Sequence, residues 1–315
     1  PYRWLEDDNS EETKAWVKEE NKITFAYLDA IPFRYAMKER ITKLWNYPKQ
    51  SAPSKYGDYY IYSKNDGLQN QSIIYVKQGE DGEEKMLLDP NKLSENGTVA
   101  LGGMSVRDDG RYVAYMIAEG GSDWRSAYVM DIATGEKLSD ELKWIKFSGI
   151  AWYGDGFFYS SYDAPKAGAE LTTKNEFHKV YYHKLGDKQE NDKLIFVDNE
   201  HALRNCSAAV TDDQKYLIVY QTETTSGAMV FIKNLEKDSP FVQFNDSFDN
   251  DWGVLDHING KLYIQTNYGA PNYRVVTVDA ANPKMSAIKD LIPESENVMR
   301  GVSYVGGKLF ASYLK

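Results

Sequence analysis

The sequence predicts an all-β chain, a β-propeller led by a short helical segment. Three observations carry that reading. A tight-turn signal followed by alternating apolar and aromatic residues recurs six times, as in Ser105–Tyr115, where Asp109-Gly110 leads into RYVAY. Successive signals lie about fifty residues apart, a period characteristic of propeller blades. Each interval also holds a second pair of strand-like runs, so one repeat carries about four strands, the content of one blade.

The six signals are Gly57-Asp58 before YYIYS, Asp109-Gly110, Asp155-Gly156 before FFYSSY, Asp212–Lys215 before YLIVY, Asn259-Gly260 before LYIQTN, and Gly306-Gly307 before LFASYL. Gly tolerates the positive φ that a two-residue hairpin turn requires, which is why these dipeptides mark hairpins. Between them stand QSIIYV, RSAYVMDI, HKVYYHKL, GAMVFIKNL and YRVVTVD, each followed by a polar turn. The count is five full repeats and about half of a sixth.

Residues 1–48 read differently from 49–315, and the two are taken as separate segments. Asn9 with Glu12 suggests a capping box. Trp16, Glu20, Ile23 and Tyr27 then fall at helical spacing. Pro32 interrupts the pattern, and a second helical run spans Arg34–Leu44. The apolar residues Trp4, Leu5, Trp16 and Ile23 need something to pack against. Because the repeats stop within the sixth, the expectation is a chain cut from a longer protein; the alternative is an atypical final blade.

Composition narrows the function. Hydrophobic residues make up 42% of 315, enough for a large core, and 24 tyrosines suit half-buried strands. The net charge is -10, from 47 acidic and 37 basic residues, so a nucleic-acid partner is not expected. No apolar run reaches the ~18 residues of a membrane span, so no membrane partner is expected. The single cysteine, Cys206, excludes an internal disulfide and reads as a buried, inert thiol. A cytoplasmic location is expected, or a periplasmic or secreted one if a leader preceded Pro1.

No catalytic or metal-binding motif stands out in the sequence. A Gly-x-Ser-x-Gly elbow would expose a nucleophilic serine on a sharp turn. The segments around Ser122, Ser148 and Ser226 do not fit it. His178, His183, His201 and His257 lie in or beside strands and read as structural or surface residues. Asp246, Asp249 and Asp251 resemble an oxygen-rich cation loop but lack its terminal glutamate. No metal and no cofactor are expected.

Several stretches, in order, resemble one family. They are PYRWLED (1–7), TKAWVKEEN (13–21), NDGLQNQSIIYV (65–76), LLDPNKLSENGTVAL (87–101), GSDWRSAYVMD (121–131), KFSGIAW (146–152), VYYHKLGDKQENDKLIF (180–196) and TNYGAPNYRVVTVD (266–279). On these the chain is similar to the N-terminal and propeller part of the prolyl oligopeptidases. The resemblance implies a serine endopeptidase that cleaves short peptides after proline. Its α/β-hydrolase domain carries the Ser-Asp-His triad, and a seven-bladed propeller excludes large substrates. About five and a half of those blades would be present here. The triad is expected beyond Lys315, so this chain alone is expected to be inactive.

By the same resemblance, Phe158 stands where the family places an aromatic near the proline pocket, with an ordinary blade-core aromatic as the alternative. Thr222 stands where family members often have a substrate-facing arginine, a departure that puts that contact in doubt. Asp123 and Trp124 lie on a loop expected to face the hydrolase domain, or simply form a turn. The implied partners are proline-containing peptides and the hydrolase domain of the same protein, with self-association through uncovered apolar surface. The rival reading is a non-catalytic propeller that binds a protein or peptide partner.

Overall fold

The computed structural model describes residues 2–237 and 239–315. Among the described residues, two α-helices precede twenty-two strands, and every strand pairing is antiparallel. The chain forms two compact units. One runs to Gly97 and includes Pro165–Lys174; the other comprises Thr98–Ala164 and Asn175–Lys315.

In the first unit, α1 spans Glu11–Asp29 and α2 spans Arg34–Trp45. The cap of α1 is Ser10, one residue later than the sequence suggests. Its hydroxyl accepts the Thr13 N–H at 3.1 Å, satisfying one of the orphan donors of the first turn. Thr13 in turn donates to the Trp4 carbonyl, and Trp4 meets Trp16 edge to face with centroids 6.1 Å apart. Pro32 lies between the helices, where a residue without an N–H ends the ladder. Much of the helical apolar surface stays uncovered: Ile23 is 68% exposed, Tyr27 73% and Trp45 62%. The first sheet follows, with β1 (Lys49–Gln50), β2 (Ser54–Tyr56), β3 (Tyr59–Asn65), β4 (Ile73–Gln78) and β5 (Lys85–Leu88).

The second unit opens with a seven-stranded sheet of β6 (Val99–Val106), β7 (Tyr112–Glu119), β8 (Arg125–Asp131), β9 (Lys137–Tyr153), β10 (Gly156–Ser161), β11 (Lys179–Lys184) and β12 (Lys193–Val197). Two sequence repeats are fused here. The 17-residue β9 closes one repeat against β8 and opens the next against β10. It changes partners around Trp144 and Phe147, which hold φ of 61° and 51°. Such values are unusual for bulky residues and mark an imposed bend.

Two four-stranded sheets and a hairpin complete the unit. The first has β13 (Asn205–Val210), β14 (Tyr216–Thr222), β15 (Met229–Asn234) and β16 (Val242–Gln243). The second has β17 (Trp252–Ile258), β18 (Lys261–Thr266), β19 (Arg274–Asp279) and β20 (Lys289–Ile292). The hairpin has β21 (Val298–Val305) and β22 (Lys308–Leu314). Each of the six turn signals closes a hairpin: the first joins β2 to β3, and the other five join the first and second strands of their repeats. Asn259 and Gly260, at φ 49° and 79°, connect Ile258 to Lys261 directly. In the glycine-free turn after β13, Gln214 takes the positive φ instead, at 59°.

Burial explains the apolar runs. Tyr216 and Ile218 of β14 pack towards Val230, Trp252, Leu262 and Ile264, while Leu217 and Val219 pack on the opposite face with Val180 and Phe158. A strand covered on both faces has no polar face to show, which is why YLIVY lacks alternation. At ~1.5–3 kcal/mol for each fully buried large apolar side chain, these inter-sheet layers dominate the stability of the unit.

Candidate functional site

A cleft of about 580 Å³ lies at one end of the last sheets of the second unit. That volume falls in the ~300–1,000 Å³ range of small-molecule sites. Antiparallel pairing assembles it, because the loop from β14 to β15 and the starts of β17 and β21 come to the same end. The loop brings Thr222, Thr225, Ser226 and Gly227, and the strand starts bring Trp252 and Arg300.

Asp251 organises the floor. One carboxylate oxygen accepts the Gly227 N–H at 2.7 Å and the other accepts the Tyr273 hydroxyl. Glycine is required at 227: φ is 75°, and a Cβ would stand 1.6 Å from the Phe248 carbonyl oxygen. Tyr273 also holds a positive φ, 66°, and its hydroxyl is pushed up first by the Asp251 hydrogen bond and then by burial. Tyr220, at the back of the cleft, accepts the Val254 N–H at 2.9 Å, and burial pushes its hydroxyl up to about 12. A second groove of about 530 Å³ shares Thr222 and Thr225 with the first and extends to Phe147, Asn205 and Ser207.

The residues singled out from sequence fall in three places. Thr222 lines both grooves. Phe158 is 3% exposed and lies in a core layer, stacked on Tyr153 at 5.6 Å and against Tyr182 at 5.1 Å. Its ring is covered by neighbouring strands, and it is not among the residues lining either groove. Asp123 and Trp124 sit together on the turn before β8. Asp123 pairs with Lys146 at 3.7 Å, and Lys146 also lies 4.9 Å from the Trp124 ring centre. Trp124 meets Trp144 and Tyr162 edge to face.

The remaining candidates resolve into structural contacts. The Cys206 thiol is buried, pushed up to about 12 by burial, and donates to the His178 carbonyl at 3.2 Å. His178 Nδ1 accepts the Cys206 N–H, and burial pulls its imidazole down to about 4. His257 contacts Asp213 at 2.6 Å, and His201 contacts Asp198 at 3.0 Å. Asp251, considered above in a cation loop, spends both oxygens on protein donors instead. The sequence did not single out Tyr273, Tyr220 and Arg300, because nothing local in PNYR, YLIVY or NVMRG marks a residue that will line a cleft.

The whole chain, residues 1–315, matches the family model for the prolyl oligopeptidase N-terminal β-propeller domain. It is 46% identical to a prolyl endopeptidase of Elizabethkingia meningoseptica, with 100% of this chain and 44% of the relative covered. It is 32% identical to prolyl oligopeptidase A of Galerina marginata, covering 100% of this chain and 47% of that protein. Among solved structures, prolyl oligopeptidase B from Galerina marginata, bound to a 35-residue hydrolysis and macrocyclization substrate, superposes with a TM-score of 0.87 at 29% identity. That match covers 99% of this chain and 47% of the other. The chain thus spans less than half the length of the curated relatives it matches.

Proposed function

The chain belongs to the prolyl oligopeptidase family as its N-terminal propeller part, and from that premise we propose that it serves a serine endopeptidase cleaving short peptides after proline. In this reading a hydrolase domain of the same protein supplies the serine nucleophile, the histidine base and the aspartate that orients it. The blades limit which substrates reach that site by their size. The observation that carries the proposal is the family match over all 315 residues, helices included.

Two features support it. The helices leave Ile23, Tyr27 and Trp45 uncovered, a surface suited to docking on another domain. Asp123, Trp124 and Lys146 offer a charged and aromatic contact of the kind found at interfaces. Thr222 is the blade residue we place nearest the peptide.

The test is hydrolysis of a chromogenic proline peptide by this chain and by the protein extended through a hydrolase domain. Turnover by the extended form alone, declining as the peptide is lengthened, is expected. Turnover by neither form would shift the reading to a non-catalytic binding propeller. Turnover by this chain alone would place the nucleophile within it.

A further inference from the structure

Arg300 is the extra residue of a β-bulge. Met299 pairs with Tyr313 and Gly301 with Ser312, so Arg300 has no partner across the hairpin. Bulges re-aim a side chain that regular pleating would send elsewhere, and they gather at functional sites. Here the bulged residue, Arg300, is one of those that line the 580 Å³ cleft. Among the described residues, Arg300 makes no ion pair.

The cleft around it is rich in donors. The Tyr220 hydroxyl accepts from Val254 N–H and donates to none of the described residues, so its proton is available. The Thr222, Thr225 and Ser226 hydroxyls also line the space. The one carboxylate there, Asp251, already accepts from Gly227 and Tyr273. A cleft whose one carboxylate is already engaged and whose arginine has no ion pair favours an oxyanion, and a planar carboxylate matches the two parallel N–H groups of arginine. Trp252, Tyr273 and Met299 supply apolar walls for the residues beside it.

We propose that this cleft binds a peptide through a carboxylate held by Arg300, with Tyr220 donating a second hydrogen bond. The site rests on the peptidase reading only for the choice of a peptide as carrier. Its test measures binding without turnover, so it stands or falls separately from the hydrolysis experiment.

The probes are three dye-labelled pentapeptides of glycine, alanine and phenylalanine: one with a free C-terminus, its C-terminal amide, and an amide carrying one internal glutamate. Fluorescence anisotropy is read with this chain, Arg300→Gln and Tyr220→Phe. At least one carboxylate-bearing peptide is expected to bind about ten- to hundredfold tighter than the neutral amide, the range of a hydrogen bond to a charged group. Arg300→Gln should abolish that preference, and Tyr220→Phe should reduce it. Which of the two acidic probes is preferred identifies a terminal or a side-chain carboxylate. Equal binding of all three peptides, no binding, or a preference that survives Arg300→Gln would overturn the proposal. Arg300 is exposed, so an unchanged thermal transition is expected for its variant.

Discussion

The imidazole of His183 is held between two carboxylates: Nε2 lies 3.0 Å from Asp140 and Nδ1 lies 2.7 Å from Asp192. All three side chains are buried. Asp140 also accepts the Gly186 N–H, and Asp192 accepts the Tyr159 hydroxyl, each at 2.7 Å. The cluster ties β9, β11 and the segment before β12 together within the half of the seven-stranded sheet that ends at β12. Burial alone would pull the imidazole down, but hydrogen bonds to Asp140 and Asp192 outweigh it and raise His183 to about 9.

Replacing His183 by glutamine leaves two buried carboxylates facing each other without a cation. A loss of roughly 3–5 kcal/mol of unfolding free energy is expected, the cost of breaking a buried ion pair. Urea unfolding near pH 6.5 measures it. A loss below about 1 kcal/mol would mean that the sheet holds without the clamp.

The same cluster sets a pH dependence. His183 binds its proton more tightly folded than unfolded, so its contribution is complete below its ordinary value of 6.5 and fades as pH rises through about 9. Asp140 is held below its ordinary 3.8: burial would raise it, and the hydrogen bonds from His183 and Gly186 outweigh that. Its contribution is present above 3.8 and disappears as pH falls through its lowered value. Stability between pH 6.5 and 9 should therefore decline in this chain and decline less in His183→Gln. Parallel curves would assign the decline to other groups.

Phe158→Ala should destabilise the chain by about 3–5 kcal/mol, the usual cost of emptying a buried aromatic site. In a protein extended through a hydrolase domain, the same variant separates two roles. An unchanged Michaelis constant for a short proline peptide would leave Phe158 a packing residue alone. A raised constant in protein that remains folded would add a pocket role.

Gly227→Ala should both destabilise the chain and loosen the cleft, because a side chain at φ 75° collides with the Phe248 carbonyl. The Asp251 contact depends on that turn. A lower melting temperature with weaker peptide binding is expected; an unchanged melting temperature would show that the loop relaxes freely.

The uncovered helices should make this chain associate with itself at micromolar concentration. Ile23→Glu combined with Tyr27→Glu should lower the mass seen by light scattering without changing the strand content seen by circular dichroism. A monomer before substitution would argue that the helices need no partner.

The sequence by itself determined the repeat, the strands and the helices. Turn chemistry and apolar alternation are local, so six turn signals located six hairpins, and Pro32 separated two helices. The ordered motifs from PYRWLED to TNYGAPNYRVVTVD carried the family. Only the tertiary structure decided that β9 joins two repeats into one sheet, since its break at Trp144 and Phe147 is set by two partners pulling on one strand. Only packing brought Asp140 and Asp192 to His183 across 43 and 9 residues. The cleft has the same origin: Thr222, Asp251, Tyr273 and Arg300 share no local pattern, and Arg300 lines it from a bulge against β22. Local propensity writes elements into a sequence, whereas a site is made where the ends of distant elements meet.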